Sequence, residues 1–414
     1  MQNMMRPEFL DMSKILYDKH IAWLFRAVED HGGSLRFVGG TVRDALKGLS
    51  GFGYDLATDL SPDELVEACE DSGLKTVPVG LKLDTIGVIL NNQILEVATL
   101  RKNVINQSGE QIVTFSDDWN VDASRRDLTI NAVYADLRGN VFDYYNGVDD
   151  LEKGIVRFIG NPEEKIKSDY LRILRFFRFY AIFGKGKPDK NSLDACIKLK
   201  DGLRTVAIET VRDEFFKILV AKNAYNALTL IFDNDILGFF LPKPKNIKAF
   251  KNLADIVEIA DIEPSFLRRL FVLYQPNAAK AENIANALRL TKKQKENFVN
   301  WAKIEVTQDN IMTKEKRLKF IYRYGKDFCR DKILITCAVA DFKTKQLTAV
   351  LNEVENAVVP VFPIKGRDIV NFGVDGKNRQ IGKILEILEQ RWIDSNFNLT
   401  RDELLEFARS NLIA

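Results

Sequence analysis

The hydrophobic and polar positions of the chain follow two different periods. Up to about residue 155, short apolar runs with strand character alternate with helical segments, and from Pro162 onward the apolar positions keep helical spacing. Leu35, Phe37 and Val38 predict a strand, and Ser61 is followed by a proline and two acidic residues that predict a helix start. The pattern therefore predicts an α+β fold, in which a small head with an antiparallel sheet precedes an all-helical remainder.

Four further segments have distinct patterns. Residues 13–31 predict an amphipathic helix, and Thr85–Leu90 with residues 94–101 predict a hairpin. Residues 102–121 have no apolar period, which is typical of a loop that is either functional or disordered. Residues 163–183 predict one long helix.

The chain has 414 residues, which is too long for one compact core. The head is predicted to span residues 1–155. The helical remainder is predicted to divide near residue 235, into a neck (156–235) and a body with a tail (236–414).

Composition restricts the class of protein. Lys and Arg number 60 against 58 Asp and Glu, so any nucleic-acid binding depends on local patches rather than on net charge. The four cysteines lack zinc or disulfide spacing, which fits a reducing cytoplasm. With two histidines, a histidine-based triad or metal site is not expected. The first ten residues lack a signal-peptide layout and no apolar run spans a bilayer, so a cytoplasmic protein is predicted.

The first chemical signal comes directly after the first predicted strand. Gly39 and Gly40 open a helix there, an arrangement in which backbone N–H groups approach a phosphate closely. Arg43 adds a cation with Asp44 as its local anchor, and Asp55 places a carboxylate in the next strand-like run. Together they indicate nucleotide chemistry with a divalent metal. A tight strand-to-helix connection without a ligand is the alternative.

The predicted helix at 163–183 carries the second signal. Asp169 and Arg172 are three residues apart, so on a helix they share a face. A carboxylate that accepts from an exocyclic amine, beside a guanidinium that donates to ring acceptors, selects cytosine and adenine and repels the carbonyl groups of uracil and guanine. Arg175 and Arg178 continue the stripe. The alternative is a solvated arginine-rich face with one salt bridge.

Six motifs occur in order between about residues 35 and 220. They are GGTVRD (39–44), YDLAT (54–58), EVATLR (96–101), RRDLTINAVY (125–134), DYYNGVDDL (143–151) and SDYLRILRFFRF (168–179). With this order and spacing the chain resembles the class II tRNA nucleotidyltransferase family, which contains the CCA-adding enzymes and bacterial poly(A) polymerases. The likeness is much weaker after residue 220.

The resemblance implies a nucleotidyltransferase-like head with a helical neck, body and tail. It also implies an enzyme that adds C and A nucleotides (CCA) to the 3′ end of tRNA from CTP and ATP, with Mg²⁺ and without a template. Asp55 is then a metal ligand and Glu96, a solvated strand residue when read alone, a further catalytic carboxylate beside it. The other implied site residues contact the nucleotide or RNA: Gly39, Gly40, Arg43 and Arg126 at the triphosphate, Asp169 and Arg172 at the base, and Arg175 and Arg178 toward the phosphates.

Three positions depart from the family pattern. Gly53 stands where the family has the first Asp of Asp-x-Asp, so one of two principal metal ligands is absent. Asp84 stands where the family usually has Gly, and we hypothesise that it partly replaces the missing ligand; an Asp84→Gly variant with unchanged Mg²⁺ dependence would contradict this. Ser168 replaces a Glu and leaves the following Asp169–Arg172 pair intact.

Other functions are compatible with the sequence. Within the family, the alternatives are a poly(A) polymerase and enzymes that add only C or only A. In another class, Gly53 permits a catalytically silent RNA-binding relative, which turnover with Mg²⁺ distinguishes. A metabolite-binding regulatory module is weaker, because it leaves the arginine stripe unexplained. In the tail, basic patches at 243–251, 292–295 and 314–323 predict recognition of tRNA shape, or else ordinary solvated helix surfaces.

Overall fold

The computed structural model describes residues 5–9, 19–49, 53–79, 85–105, 111–341, 346–371 and 379–412. The chain divides into two compact units, Met1–Pro242 and Lys243–Ala414. The predicted head and neck belong to the first unit, and the predicted divisions at residues 155 and 235 stay predictions.

A mixed sheet of eight strands forms the head. The strands of the first unit are β1 (Met5–Phe9), β2 (Leu35–Val38), β3 (Leu56–Thr58), β4 (Lys75–Pro78), β5 (Thr85–Leu90), β6 (Gln93–Thr99), β7 (Arg101–Ile105), β8 (Gln111–Phe115), β9 (Val133–Ala135) and β10 (Asn140–Asp143). The order in the sheet is β1-β10-β9-β2-β3-β6-β5-β4, and β7 pairs with β8 as a separate ribbon. Neighbouring strands are antiparallel except β3 and β6, which are parallel.

Helices of the first unit cover the sheet and continue beyond it. They are α1 (Lys19–Asp30), α2 (Gly40–Leu46), α3 (Pro62–Asp71), α4 (Trp119–Arg125), α5 (Gly147–Lys153), α6 (Pro162–Ser168), α7 (Arg172–Phe183), α8 (Lys190–Leu199), α9 (Ile208–Val220) and α10 (Ala224–Asp233), with short 3-10 turns at Thr129–Asn131 and Lys200–Thr205. The helix predicted over 13–31 is described from Lys19, and residues 13–18 lie outside the described ranges.

Local sequence explains several of these elements. The Ser61 side chain accepts from the Glu64 N–H while the Glu64 carboxylate accepts from the Ser61 N–H, and Pro62 opens α3. Asn91 and Asn92 join β5 to β6 with φ values of 49° and 60°, as a two-residue hairpin turn requires. The predicted helix start and hairpin are therefore confirmed.

The prediction of a structureless loop over 102–121 is wrong. Arg101 pairs with Phe115 and Ile105 with Gln111 in the β7–β8 ribbon, and α4 follows, capped by the Asp118 carboxylate. The ribbon is separate from the packed eight-stranded sheet, so its sequence needs no apolar alternation of the kind that marks a half-buried strand.

The prediction of one helix over 163–183 is also wrong. α6 ends at Ser168, Asp169 has extended backbone angles, and α7 begins at Arg172. The Asp169 carboxylate accepts from the Leu171 N–H at 3.0 Å, and such local side-chain bonds compete with the helix. Asp169 and Arg172 therefore lie on either side of a helix break instead of on one helix face.

Alternation along the strands places neighbouring residues on opposite faces of the sheet. Leu56 and Val97, which pair in register, are buried in a cluster with Phe37 and with residues of α1 and α3. The next residue, Ala57, is buried in a second cluster with Tyr134. The central strands are thus packed on both faces, which fixes the positions of the residues at their ends.

The described part of the second unit consists of helices and their connections. The helices are α11 (Ile247–Ile259), α12 (Phe266–Tyr274), α13 (Ala278–Ala287), α14 (Lys292–Lys303), α15 (Gln308–Met312), α16 (Lys314–Tyr324), α17 (Lys326–Val339), α18 (Leu347–Asn356), α19 (Gly366–Val370), α20 (Arg379–Asp394) and α21 (Arg401–Asn411). The predicted apolar face of α20 is buried, with Leu388 and Trp392 in one cluster with residues of α21. Over the described ranges, no helix has the length and apolar character needed to cross a membrane.

Candidate active site

A cavity of about 660 Å³ in the first unit brings the predicted site residues together. All ten line it: Gly39, Gly40, Arg43, Asp55, Glu96, Arg126, Asp169, Arg172, Arg175 and Arg178. The sequence therefore identified residues that share one site, while their individual roles stay predictions.

The carboxylate side of the cavity, Asp55 and Glu96, is built by two parallel strands. Leu56 on β3 pairs with Val97 on β6, so Asp55, which directly precedes β3, and Glu96 on β6 are neighbours across the pair. Adjacent strands lie about 4.8 Å apart, which brings both carboxylates to one edge of the sheet. Both residues are exposed.

The Gly-Gly turn between β2 and α2 packs against this edge. Gly39 has a φ of 61°, a left-handed value that glycine adopts without steric cost. A Cβ on Gly40 would lie 2.9 Å from Asp55 Oδ2, and the Gly40 N–H donates to that oxygen at 3.2 Å. A side chain at position 40 would therefore displace the Asp55 carboxylate from its present position.

Gly53 lies beside Asp55 in open space. Thr41 Oγ1 donates to the Gly53 carbonyl at 3.1 Å and accepts from the Asp55 N–H at 2.8 Å. Among the described residues, a Cβ at position 53 would meet no heavy atom within 4 Å. The position therefore has room for a carboxylate side chain that this sequence lacks. Asp84, hypothesised to replace that ligand, lies outside the described residues.

Nucleotidyltransferases generally use divalent metal ions. Over the described ranges, no three acidic, histidine or cysteine side chains form a metal-binding group. Mg²⁺ usually keeps several waters and binds through one or two carboxylates together with substrate phosphates. The two oxygen-donating side chains of Asp55 and Glu96 fit an ion of that kind.

The guanidinium side of the cavity consists of Arg43, Arg126, Arg175 and Arg178. Arg43 donates from Nε and Nη2 to the Asp44 carboxylate at 2.8 Å each, and from Nη1 to Asn131 Oδ1 at 2.6 Å. The predicted anchoring by Asp44 is therefore present. Three of the five N–H groups of Arg43 are engaged, which leaves two for a ligand.

Arg126 is held by a phenol and a carboxylate. Its Nε donates to Tyr134 Oη at 3.0 Å and its Nη2 to Asp122 Oδ2 at 3.0 Å, while the Tyr134 hydroxyl donates to Asp122 at 2.9 Å. Burial lowers the pKa of Arg126, but Tyr134 and Asp122 outweigh burial and raise this pKa above its ordinary value. The guanidinium therefore stays charged.

Arg175 is anchored by Asp127. Its Nε donates to Asp127 Oδ2 at 2.6 Å, and the other carboxylate oxygen accepts from the Leu128 N–H and from Asn131 Nδ2. Burial raises the pKa of Asp127, yet Arg175 and the hydrogen bonds outweigh it and hold this pKa below its ordinary value. Through Asn131, the same carboxylate is linked to Arg43.

Arg178 pairs with a carboxylate on a neighbouring helix. Its Nε lies 2.9 Å from Glu214 Oε2 on α9, and Lys217 contacts the other oxygen of Glu214. Burial lowers the pKa of Arg178 more than Glu214 raises it. Glu214 is buried, so it supports the arginine from behind the cavity wall.

Asp169 and Arg172 face the same cavity from the helix break. One carboxylate oxygen of Asp169 accepts from the Leu171 N–H, which leaves the other for a ligand. Arg172 donates to the carbonyls of Lys165 and Arg125 and to the Ser168 hydroxyl. Its Nε–H and one Nη2 N–H are left for a ligand.

Sequence reasoning missed the side chains that anchor the arginines. Asp127, Asn131 and Tyr134 are polar residues inside an apolar run, a pattern that indicates buried hydrogen bonding. Asp122 precedes Arg126 by four residues, the spacing of an ion pair on a helix. Both signals are present in the sequence.

Comparison with known proteins identifies the family. The "Poly A polymerase head domain" family matches residues 35–157, and "Probable RNA and SrmB- binding site of polymerase A" matches residues 187–248. The human "CCA tRNA nucleotidyltransferase 1, mitochondrial" is 31% identical over 387 residues, which cover 92% of this chain and 87% of the human protein. The chain belongs to the CCA tRNA nucleotidyltransferase family. The resemblance carried by the six motifs is confirmed.

Bacterial members of the CCA tRNA nucleotidyltransferase family are similar over the whole chain. The "CCA-adding enzyme" of Staphylococcus haemolyticus is 26% identical over 402 residues, 94% of this chain and 97% of that enzyme. The Bacillus stearothermophilus CCA-adding enzyme in complex with CTP has a TM-score of 0.75 at 19% identity, covering 94% and 96% of the two chains. The Thermotoga maritima enzyme complexed with tRNA has a TM-score of 0.67 at 20% identity and 98% coverage of both chains. The predicted fold is confirmed.

Proposed function

We propose that this chain adds C and A nucleotides to the 3′ end of tRNA, from CTP and ATP, with Mg²⁺ and without a template. The observation that carries the proposal is that one cavity holds the neighbouring carboxylates of Asp55 and Glu96, the Gly-Gly turn and the fixed guanidinium groups. Phosphoryl transfer uses such a set because the protein mainly positions groups and neutralises charge. Solved structures of similar enzymes have CTP, ATP and tRNA in their names, which supports the same partners here.

The two sides of the cavity have different proposed tasks. Asp55 and Glu96 hold the divalent cation, which when bound polarises the phosphoryl oxygens as a Lewis acid. Arg43 and Arg126 bind the triphosphate, and Arg43 has two N–H groups left for this purpose. The Gly-Gly turn lets phosphate oxygens approach the backbone, since no side chain intervenes.

The base is proposed to be selected at the helix break. The second carboxylate oxygen of Asp169 accepts from the exocyclic amine of cytosine or adenine, and the remaining N–H groups of Arg172 donate to the ring acceptors beside it. Uracil and guanine present a carbonyl to the carboxylate and are repelled. Arg175 and Arg178 line the cavity beside Asp169 and Arg172 and are proposed to contact the phosphates or RNA.

The second unit is proposed to recognise the shape of tRNA. Lys243, Lys293 and Lys314 are exposed, one in each basic patch. Cations on a helix surface attract phosphates without reading sequence, which suits a shared tRNA shape. Replacing all three with Ala should weaken tRNA binding and leave CTP binding unchanged.

A cytoplasmic location is part of the proposal. The four cysteines are free and buried, which fits a reducing compartment. The vertebrate relatives carry "mitochondrial" in their names, so cell fractionation should compare the two compartments.

Gly53 supports a second candidate of another class, a catalytically silent relative that binds RNA and nucleotide. The residue brings no carboxylate to the place beside Asp55, although space is available. Within the enzyme class, a poly(A) polymerase or an enzyme adding only C or only A is tested in the same experiment.

The experiment offers the purified protein a tRNA that lacks its 3′ CCA, with Mg²⁺ and each labelled nucleoside triphosphate alone and in combination. We expect addition of C, C and then A, with UTP and GTP refused. Long runs of A would indicate a poly(A) polymerase. CTP and ATP binding without any incorporation would indicate the silent relative.

A further inference from the structure

Arg172 is anchored differently from the four arginines of the guanidinium side, because its hydrogen-bond partners are neutral oxygen atoms. The four arginines of that side each contact a carboxylate at 2.6–3.0 Å. Among the described residues, Arg172 contacts no carboxylate: its partners are the Lys165 carbonyl at 3.0 Å, the Arg125 carbonyl at 3.4 Å and the Ser168 hydroxyl at 2.9 Å. Ser168 is thus the side chain that touches this guanidinium.

The Arg172 guanidinium, the Ser168 hydroxyl and the Lys165 carbonyl form a triangle of hydrogen bonds at the end of α6. Ser168 Oγ donates to the Lys165 carbonyl at 2.8 Å, and Arg172 Nη1 donates to both oxygens. Because the hydroxyl proton goes to the carbonyl, the lone pairs of Ser168 Oγ face the guanidinium. The Lys165 carbonyl is one of the last four of the helix, which carry partial negative charge and favour a cation.

We propose that Ser168 is a positioning residue that orients Arg172 and thereby determines nucleotide selectivity. The inference rests on the proposed function. Both protons on Nη1 are engaged by the triangle, so the plane of the guanidinium is fixed and its Nε–H and remaining Nη2 N–H keep one direction. Because the anchoring groups are neutral, they do not neutralise the positive charge of Arg172, which stays available to a ligand. A carboxylate anchor would partly neutralise it.

The consequence can be measured with and without turnover. We compare CTP with UTP for wild type, Ser168→Ala and Ser168→Thr, by calorimetric binding in the presence of Mg²⁺ and by single-nucleotide incorporation into a tRNA lacking CCA. Ser168→Ala should reduce the CTP preference about tenfold, mainly through weaker CTP binding, since a hydrogen bond to a charged group is lost. Ser168→Thr keeps the hydroxyl and should restore the preference. Ser72→Ala, at a distant helix end, is the matched control.

Each outcome separates the inference from the proposed function. If wild type prefers CTP and Ser168→Ala keeps that preference within about twofold, or Ser168→Thr loses it as Ala does, the inference is overturned and the function stands. If wild type incorporates nothing but binds CTP over UTP, and only Ser168→Ala loses this preference, the inference stands and the enzyme proposal fails. Equal binding of CTP and UTP by wild type overturns the inference. Unchanged melting temperatures show that the variants are folded.

Discussion

The two sides of the cavity are stabilised in different ways. Asp55 and Glu96 are exposed, and the Asp55 carboxylate accepts the Gly40 N–H at 3.2 Å. The arginines of the guanidinium side are instead anchored by side-chain carboxylates, as the Arg175–Asp127 pair at 2.6 Å illustrates. Burying a charge is costly unless it is paired, whereas an exposed carboxylate keeps its water.

This difference explains which departures from the family pattern the fold tolerates. At position 53 the family pattern has a carboxylate, and its loss leaves no gap, because no atom of the described residues lies within 4 Å of a Cβ there. Loss of Asp127 or Glu214 would leave a partly buried guanidinium without its partner. The fold therefore depends on the anchors of the guanidinium side, whereas the exposed carboxylate side can change without unfolding the chain.

The largest expected effect comes from removing the carboxylate at Asp55. Asp55→Asn should reduce nucleotide incorporation on the order of a thousandfold, because an amide does not replace an anionic metal ligand. The melting temperature should stay within about 2 °C, since the residue is exposed. Steady-state incorporation and thermal unfolding measure both. Glu67→Gln, an exposed acid on α3, is the control, and comparable incorporation by Asp55→Asn and wild type would remove Asp55 from the metal site.

Asp127→Asn should act on the opposite side and damage stability as well. Breaking the pair between the buried Asp127 and the half-buried Arg175 should cost about 3 kcal/mol of unfolding free energy at pH 7 and raise the KM for CTP. The folded-state pKa of Asp127 is below its ordinary value of 3.8, so its stabilisation is complete above pH 3.8 and is lost as the pH falls through the folded value.

The difference in unfolding free energy between wild type and Asp127→Asn should therefore be constant from pH 5 to pH 7, which lies more than one unit above the ordinary pKa of 3.8, and shrink in stronger acid. Urea titrations at several pH values measure it, with Asp194→Asn, an exposed acid on α8, as the control. An unfolding free energy equal to that of wild type at pH 7 would contradict the account, because Asp127 would then contribute nothing to stability as the anchor of Arg175.

A smaller effect is expected at a buried cation whose hydrogen-bond partner is a backbone carbonyl. Lys332 in the second unit is 8% exposed and donates to the Trp301 carbonyl, and burial lowers its pKa to about 8. The unfolded chain binds this proton up to pH 10.5, so stability rises with pH from 8 to 10.5. Lys332→Met should stabilise the chain by about 1–3 kcal/mol at pH 7 and by less at pH 9.

Urea unfolding at both pH values checks this, with the exposed Lys293→Met as the control. Destabilisation by Lys332→Met at pH 7 would mean that the carbonyl contact outweighs the cost of burying the charge.

Local signals predicted much of the fold. The apolar strand before Gly39, the capped start of α3 and the Asn91–Asn92 hairpin depend on neighbouring residues, and each is present in the structure. The apolar period predicted neither the β7–β8 ribbon nor the helix break at Asp169. The ribbon depends on cross-strand hydrogen bonds, and the break depends on the bond from the Leu171 N–H to the Asp169 carboxylate, and neither kind of bond appears in that period.

The sequence predicted which residues belong to the site better than it predicted how they are arranged. The motifs named ten of the residues that line the cavity, because they identified the family whose site residues these positions match. The pair of Asp127 with Arg175 joins residues 48 positions apart, which spacing alone does not predict, whereas the four-residue spacing of Asp122 and Arg126 was a local signal. Ser168 was read as a neutral departure, although it contacts Arg172 directly.

The central claim is that two carboxylates suffice for metal-dependent addition to tRNA. The most direct test measures CMP incorporation into a tRNA lacking CCA as Mg²⁺ is titrated from zero, for wild type and Gly53→Asp. We predict no incorporation without Mg²⁺, saturable incorporation by wild type, and a lower Mg²⁺ requirement for Gly53→Asp because a third carboxylate joins the site. Wild type that is inactive at every Mg²⁺ concentration, beside an active Gly53→Asp variant, would contradict the claim.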